Sequence, residues 1–384
     1  MLTTDQLDSV DLFVGSQSTF YQGAGMRVLM ILPHPVEGPS SRFRAYQFIP
    51  FLEENGIEVI VRPFLSSQLM PQLYSSASTA KKIAFTAYGA MQRLADTVRA
   101  GRYDVVYLLR EAFPFGPPLL EALLGASAGR LVFDFDDAIY TRSLAYDNPL
   151  DRLRDWNKTG KIIKRATKTI VGSSYLAAYA QQFTAPDTIQ IIPTVVDPEQ
   201  YLPHPGREQR KDITVGWIGT PRGSAYLRDL NPAFHRLCAA RKDVKFVFVG
   251  AEKFETEGLP IEFRSWFLER ESADVAAFDI GIMPLTDDEE TRGKCGFKLV
   301  QYMSASVVPV CSPIGANMDI VEHGVNGLYA RSCDEWTTSI MTLANDINMR
   351  RRLGANGRQT VVERFSTGYA APLLRDILLE AGAR

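Results

Sequence analysis

Net charge is almost missing from this chain of 384 residues, where 42 basic side chains face 44 acidic ones and leave a formal charge of −2. A general nucleic-acid binder carries a broad cationic field, so no nucleic-acid partner is expected. Cysteine is scarce as well. Cys238, Cys295, Cys311 and Cys333 stand far apart and form no CxxC pair. That excludes a zinc knuckle and a secreted disulfide scaffold, and it suits a reducing, cytoplasmic compartment. No run approaches the roughly 18 uncharged apolar residues that cross a bilayer, so any membrane contact would be peripheral. Residues 1–25 hold Asp5, Asp8 and Asp11 with no basic start and apolar run, and they read as an extension before the first strand. Short tandem repeats and low-complexity tracts are also missing.

What the chain has is apolar substance, 46% hydrophobic against 22% charged, in a length that one core seldom organises. Runs such as Arg27–Leu32, Val105–Leu109 and Leu131–Phe135, bounded by turn residues and separated by stretches of helical period, read as buried parallel strands. Thr169–Val171 and Ile189–Ile192 continue the series. Pro193, Pro198, Pro203, Pro205 and the polar run Gly206–Asp212 then mark a linker. A second series follows in Ile213–Gly219, Lys245–Gly250, Asp279–Pro284 and Val307–Cys311. The expectation is α/β: two doubly wound, Rossmann-like domains with a cleft between them, spanning 26–205 and 206–365, and a last helix in 366–384. Sheets of this kind bind ligands beyond the carboxyl ends of their strands.

The segment Thr291–Met303 sets Arg292, Lys294 and Lys298 around Gly293 and Gly296, and from Phe297 it becomes an amphipathic helix. Glycines admit a ligand to the backbone, a helix N-terminus offers free N–H groups, and cations neutralise phosphate. The combination suits a diphosphate; a solvated basic loop capping a helix is the plainer reading. After the first strand of the second half, Gly219, Thr220 and Arg222 form a strand-to-helix turn in which Arg222 can pair with phosphate, or Ser224 simply caps the helix.

Asp279–Leu285, the Arg292–Lys298 run, Gln301–Ala305, Val308–Val310, Ser312–Gly315 and Ile320–Gly327 come in the order and spacing of the carboxyl-terminal half of family 4 glycosyltransferases. The chain resembles that family, closely over Asp279–Ala330 and more loosely over Met26–Phe365. The resemblance implies the GT-B fold and transfer, with retention of configuration, from a nucleoside-diphosphate sugar without a metal or other cofactor. Most of the family holds the donor with two glutamates eight positions apart; here Gly293 and Gln301 occupy those places, and Ser306 stands for a usual glycine. This is similar to a branch in which Lys294–Lys298 takes that place and Gln301 reaches the ribose as an amide. Trp266 falls where the family often contacts the base, or is a core tryptophan.

In the first half, the loop after the first strand holds Gly38, Ser40, Ser41 and Arg42, where the family has its glycine-containing loop facing the cleft. Arg42 or Arg44 can bind donor or acceptor phosphate there, or Ser40 or Ser41 caps a helix through Phe51. His34 reads as a loop histidine. Glu111, Asp134, Asp136 and Asp137 lie at the ends of two strands. The resemblance matches Glu111 to a family glutamate and sets Asp136 near a family histidine, implying catalytic roles for both. Asp134 and Asp136 also spell a metal-binding DxD, set aside because two-domain α/β alternation goes with phosphate-binding cations instead. Arg152–Lys168 is strongly basic, with Lys158–Lys168 mostly on one helical face, a solvated face or a contact for anionic membrane. Lys81, Lys82, Arg93 and Arg99 form a weaker second patch.

The reading is therefore a glycosyltransferase acting on a glycan, lipid-linked or small-molecule acceptor, in the cytoplasm or on the cytoplasmic membrane face. A nucleotide-sugar epimerase and a non-catalytic nucleotide-sugar-binding protein are the rival readings.

Overall fold

A computed structural model describes residues 25–69, 79–142, 149–256 and 258–383. The expected extension 1–25 lies outside the described residues except for Gly25. The first sheet is built from β1 (Met26–Leu32), β2 (Ile57–Pro63), β3 (Val105–Leu109), β4 (Leu131–Phe135), β5 (Lys168–Val171) and β6 (Ile189–Ile191), in the order β2-β1-β3-β4-β5-β6. The second comprises β7 (Ile213–Ile218), β8 (Val244–Val249), β9 (Ile261–Arg264), β10 (Ile280–Met283), β11 (Val308–Cys311) and β12 (Leu328–Tyr329), in the order β12-β11-β10-β7-β8-β9. Every pairing is parallel. Helices cover both faces of such sheets, which is why β3 and β4 are apolar and buried at nearly every position. Three strands not read from sequence, β2, β9 and β12, are all edges. Edge strands are half-solvated, so β2 interrupts its apolar run with Glu58 and Arg62.

Two tertiary features depart from the sequence reading. The stretch expected as a linker is packed: Val195, Val196 and Tyr201 are buried in the apolar cluster shared by the two halves. The last helix, Thr367–Ala383, which nothing in its sequence assigns to either half, returns to the first sheet. Val196 donates to Phe365 and Thr367 donates back to Val196, and Lys168 pairs with Glu380 at 2.8 Å. The chain thus crosses between halves twice, and the crossings bring the carboxyl ends of both sheets to one cleft.

Candidate functional site

In the second half the candidate site is the start of helix Phe297–Ser304. Gly296 is its N-cap at φ +67°, a left-handed conformation that a side chain would strain, and a Cβ there would lie 2.4 Å from Ile320. No side chain caps this helix. The Leu299 N–H returns to the Gly296 carbonyl at 2.9 Å, and the partial positive charge of the helix start lies next to Lys294, which lines the cleft. Lys298 sits one step inside, with its ammonium 5.3 Å from the centre of the Trp217 ring. Among the described residues no carboxylate pairs with it. Burial first, and repulsion from Lys294 second, lower its pKa to about 8. A Cβ on Gly219 would fall 2.8 Å from Lys298 Cε, so glycine lets the loop after β7 close onto the lysine.

The neighbouring cations differ. Lys294 lines the cleft 3.5 Å from Glu290, and Arg222 reaches the same carboxylate at 3.2 Å. Thr220 is exposed beside it. Ser224 is not the cap expected of it: its hydroxyl donates to the Pro221 carbonyl and accepts from Glu252 N–H, inside the 3-10 turn Pro221–Leu230. Arg292 turns to the surface, bonding Asp287 at 2.7 Å.

The place of the first absent glutamate has a geometric cause. A Cβ on Gly293 would lie 2.2 Å from the Cβ of Ala138, so the two halves meet there with room only for hydrogen. Gln301, at the second place, is buried and donates to Tyr201 Oη at 3.0 Å and Glu271 Oε1 at 3.1 Å. Glu271 also receives two bonds from Arg42 at 3.0 and 2.8 Å, one from Tyr201 and one from Trp266 Nε1 at 2.8 Å. This carboxylate ties the first half to the second, and Phe297 adds a ring contact with Phe43 at 4.2 Å.

Across the cleft, β3 is followed directly by Arg110, held at φ 58° in the left-handed region that costs a non-glycine residue about 1 kcal/mol or more. That backbone turn aims its guanidinium at Asp136 (3.0 and 2.8 Å) and Asp137 (2.5 Å). Asp136 is thereby buried behind Arg110, and Asp137 is the carboxylate that lines the cleft. Burial raises the Asp137 pKa, but Arg110, Lys294 and the Cys295 N–H outweigh it, and the net shift is downward. Glu111 accepts from Arg154 at 2.9 Å. Burial nevertheless dominates over Arg154 and Lys158, and brings its carboxyl up to about 7. His34, also on the cleft wall, is pushed down to about 4 by burial and then by Arg110, so it is neutral at pH 7. The cleft has a volume of about 930 Å³ and takes side chains from both halves.

Several sequence candidates have other duties. Asp134 is buried, accepting from Arg44 at 2.6 Å and from Tyr107 Oη at 2.5 Å. Arg44 also donates to the Ile192 carbonyl, so it is a core arginine and not a phosphate ligand. Asp134 and Asp136 are therefore each taken by an arginine and do not converge as a DxD pair. Gly38, not Ser40 or Ser41, is the N-cap of the short helix Pro39–Arg44, and a Cβ on it would strike His34. Ser41 is buried and accepts from His34 N–H, while Ser40 is half-buried. The basic stretch Arg152–Lys168 is not one solvated face. Lys158 is buried against Glu121 at 2.9 Å, Lys168 lies in β5, and Lys161 pairs with Asp155. Arg93 is likewise buried, bonded to Asp96 and to the carbonyl of Leu32, and the side chain of Lys82 lies outside the described residues. Sequence reasoning passed over Arg110 and Glu271, and read Arg154 only as part of the basic stretch and not as a partner of Glu111. The first was visible as the residue directly after a buried strand, whereas the other two reach the site only through tertiary folding.

Residues 213–346 match the family model described as Glycosyl transferases group 1. The second half is thus a domain of that kind, and the protein is a transferase. The whole architecture is GT-B. It is similar to HepE of Anabaena in complex with UDP-glucose, with a TM-score of 0.65 at 15% identity over 92% of this chain and 100% of that one. It is also similar to sucrose-phosphate synthase from Thermosynechococcus elongatus, with a TM-score of 0.65 at 13% identity over 93% and 99% of the two chains. A glycosyltransferase from Rickettsia africae ESF-5 gives 0.65 at 12% identity over 93% and 98%. At these identities the likeness is one of fold. No match is found among curated proteins. Among the described residues no helix is long and apolar enough to cross a membrane.

Proposed function

We propose that this chain transfers a sugar, with retention of configuration, from a nucleoside-diphosphate sugar held by residues 206–365 to an acceptor held by residues 26–205. The observation that carries the reading is Lys298: a half-buried cation, without a carboxylate partner among the described residues, beside a helix N-terminus that no side chain caps. A buried charge left unpaired is costly, and a diphosphate is the ligand whose charge and oxygens would relieve that cost. The complex of HepE with UDP-glucose supports the same donor class.

In this reading the bond from the anomeric carbon to the diphosphate breaks and its electron pair goes to the phosphate oxygen. Lys298, Lys294 and the free N–H groups stabilise that charge, which is where fixed donors act most strongly. The acceptor oxygen attacks the same face and its proton passes to the departing oxygen, so no protein nucleophile and no metal is called on. Glu111, poised near neutrality, orients the acceptor hydroxyl and can exchange its proton. Asp137, fixed by Arg110, lies against developing positive charge on the sugar.

Thermal unfolding with uridine, guanosine and adenosine diphosphate sugars tests the site. One of them should raise the melting temperature, and Lys298→Ala should weaken that nucleotide about tenfold or more, as for a lost hydrogen bond to a charged group. Stabilisation by none of them, or unchanged binding in Lys298→Ala, would sink the proposal. Donor binding without transfer would favour the non-catalytic rival.

A further inference from the structure

The cleft has two chemically different walls. The polar one comes from the strand ends that carry Arg110, Glu111 and Asp137 and from Arg222, Glu290 and Lys294 of the second half. The other is apolar and belongs to the first half alone: Phe64, Ile83, Phe113, Phe115, Leu150 and Leu153. Phe113 sits between the other two rings, at 6.1 Å from Phe64 and 5.7 Å from Phe115. The aliphatic members are not core residues. Ile83 is 64% exposed, Leu150 51% and Leu153 58%. Soluble proteins seldom keep contiguous apolar surface beyond roughly a few hundred Å² unless something covers it.

The helix Thr79–Arg99 extends this wall. It buries Gly89, Arg93, Asp96 and Thr97, and exposes Ile83, Ala87, Met91, Leu94 and Val98. Spacings of four, four, three and four keep the exposed set within a sector of about 80° at 3.6 residues per turn. A helix that uses one face for the core normally turns polar residues to water, and here the second face is an apolar stripe that enters the cleft at Ile83.

We propose that this wall binds the apolar chain of an amphiphilic acceptor, whose hydroxylated head lies at Glu111 and Asp137. The assignment as an acceptor subsite rests on the transferase reading above. The occupant follows from continuity: one cavity joins ionised groups suited to a sugar or polyol with aliphatic and aromatic groups suited to hydrocarbon, and the hydrocarbon side opens to solvent along a helix. A bare sugar would leave the apolar wall wet. A wholly apolar ligand would strip water from Glu111, Asp137 and Arg154 without replacing it.

The test uses the full chain and methyl, octyl and dodecyl glucoside below micelle-forming concentrations, titrated calorimetrically. Octyl glucoside should bind about thirtyfold or more tightly than methyl glucoside, since each seated methylene contributes up to about fourfold. The double variant I83D/L153D changes two exposed residues and should bring the octyl compound back to within about threefold of the methyl one. Its unfolding temperature checks that it is folded. Equal binding of methyl and octyl compounds would overturn the proposal, as would a chain-length dependence that survives in I83D/L153D. Sedimentation with neutral phosphatidylcholine vesicles in place of saturable single-chain binding would assign the wall to a bilayer, and dimers that dissociate in I83D/L153D would assign it to a second copy. Either would also overturn it. A missing thermal shift with every nucleotide sugar, beside intact chain-length dependence, would instead remove the donor reading and leave the groove.

Discussion

The two halves treat charge differently in and behind the cleft they share. In the first half five carboxylates are matched by four cations: Asp134 with Arg44, Asp136 and Asp137 together with Arg110, Glu111 with Arg154, and Glu121 with Lys158. In the second half no carboxylate among the described residues pairs with Lys298 at the helix start. The first arrangement is complete in itself and fixes geometry; the second would be completed by the proposed diphosphate. Pairing inside a fold costs desolvation but specifies position, whereas a withheld partner stores affinity for whatever anion arrives.

Stability measurements should separate the two. Asp134→Ala strands the buried Arg44 and should cost about 3–5 kcal/mol in denaturant unfolding. Lys298→Met removes a half-buried charge that burial disfavours and should be neutral or stabilising at pH 7. Comparable losses for the two would erase the contrast.

Glu111 gives the next effect. Its folded pKa of about 7 lies above the ordinary 4.5, so between those values the folded chain holds a proton that the unfolded chain has released. Stability should therefore fall as pH rises from 4.5 to 7, and Glu111→Gln should flatten that slope. Unfolding midpoints across this range in both proteins provide the check; parallel slopes would show that the Arg154 pair neutralises the group after all.

The smallest signal is a proton count. Lys298 has a folded pKa of about 8, so roughly half of it is neutral at that pH, and a diphosphate should draw it back to the charged form. Calorimetry of the stabilising nucleotide in buffers of different ionisation enthalpy should register uptake of up to about half a proton at pH 8, and none in Lys298→Met. The same group predicts stability rising between pH 8 and 10.5 in the unliganded protein, because there the unfolded chain binds the extra proton.

Much of the fold was open to reading because buried parallel strands must be apolar on both faces. Arg27–Leu32, Val105–Leu109 and Leu131–Phe135 announce themselves for that reason, whereas β2, β9 and β12 are edges and carry a weaker pattern. The cationic helix start was legible too, since Gly293, Lys294, Gly296 and Lys298 are local in sequence and their grouping needs no distant partner. Which charged residues face the cleft was not legible. Arg42 and Arg44 are two positions apart on one short helix, yet one bridges to Glu271 and the other is sealed in the core with Asp134. Asp136 and Asp137 are adjacent, yet only the second lines the cavity.

Residue order by itself determined the alternation of strand and helix, the two sheets and the place of the cationic turn, because periodicity and helix ends are properties of neighbours along the chain. Tertiary structure decided the rest: that Gly293 backs onto Ala138, that Glu271 gathers Arg42, Tyr201, Trp266 and Gln301, and that the last helix returns to the first sheet. Those are contacts between residues far apart in the chain. Their pairing is set by the packing of two sheets against each other, a relation that no local spacing encodes.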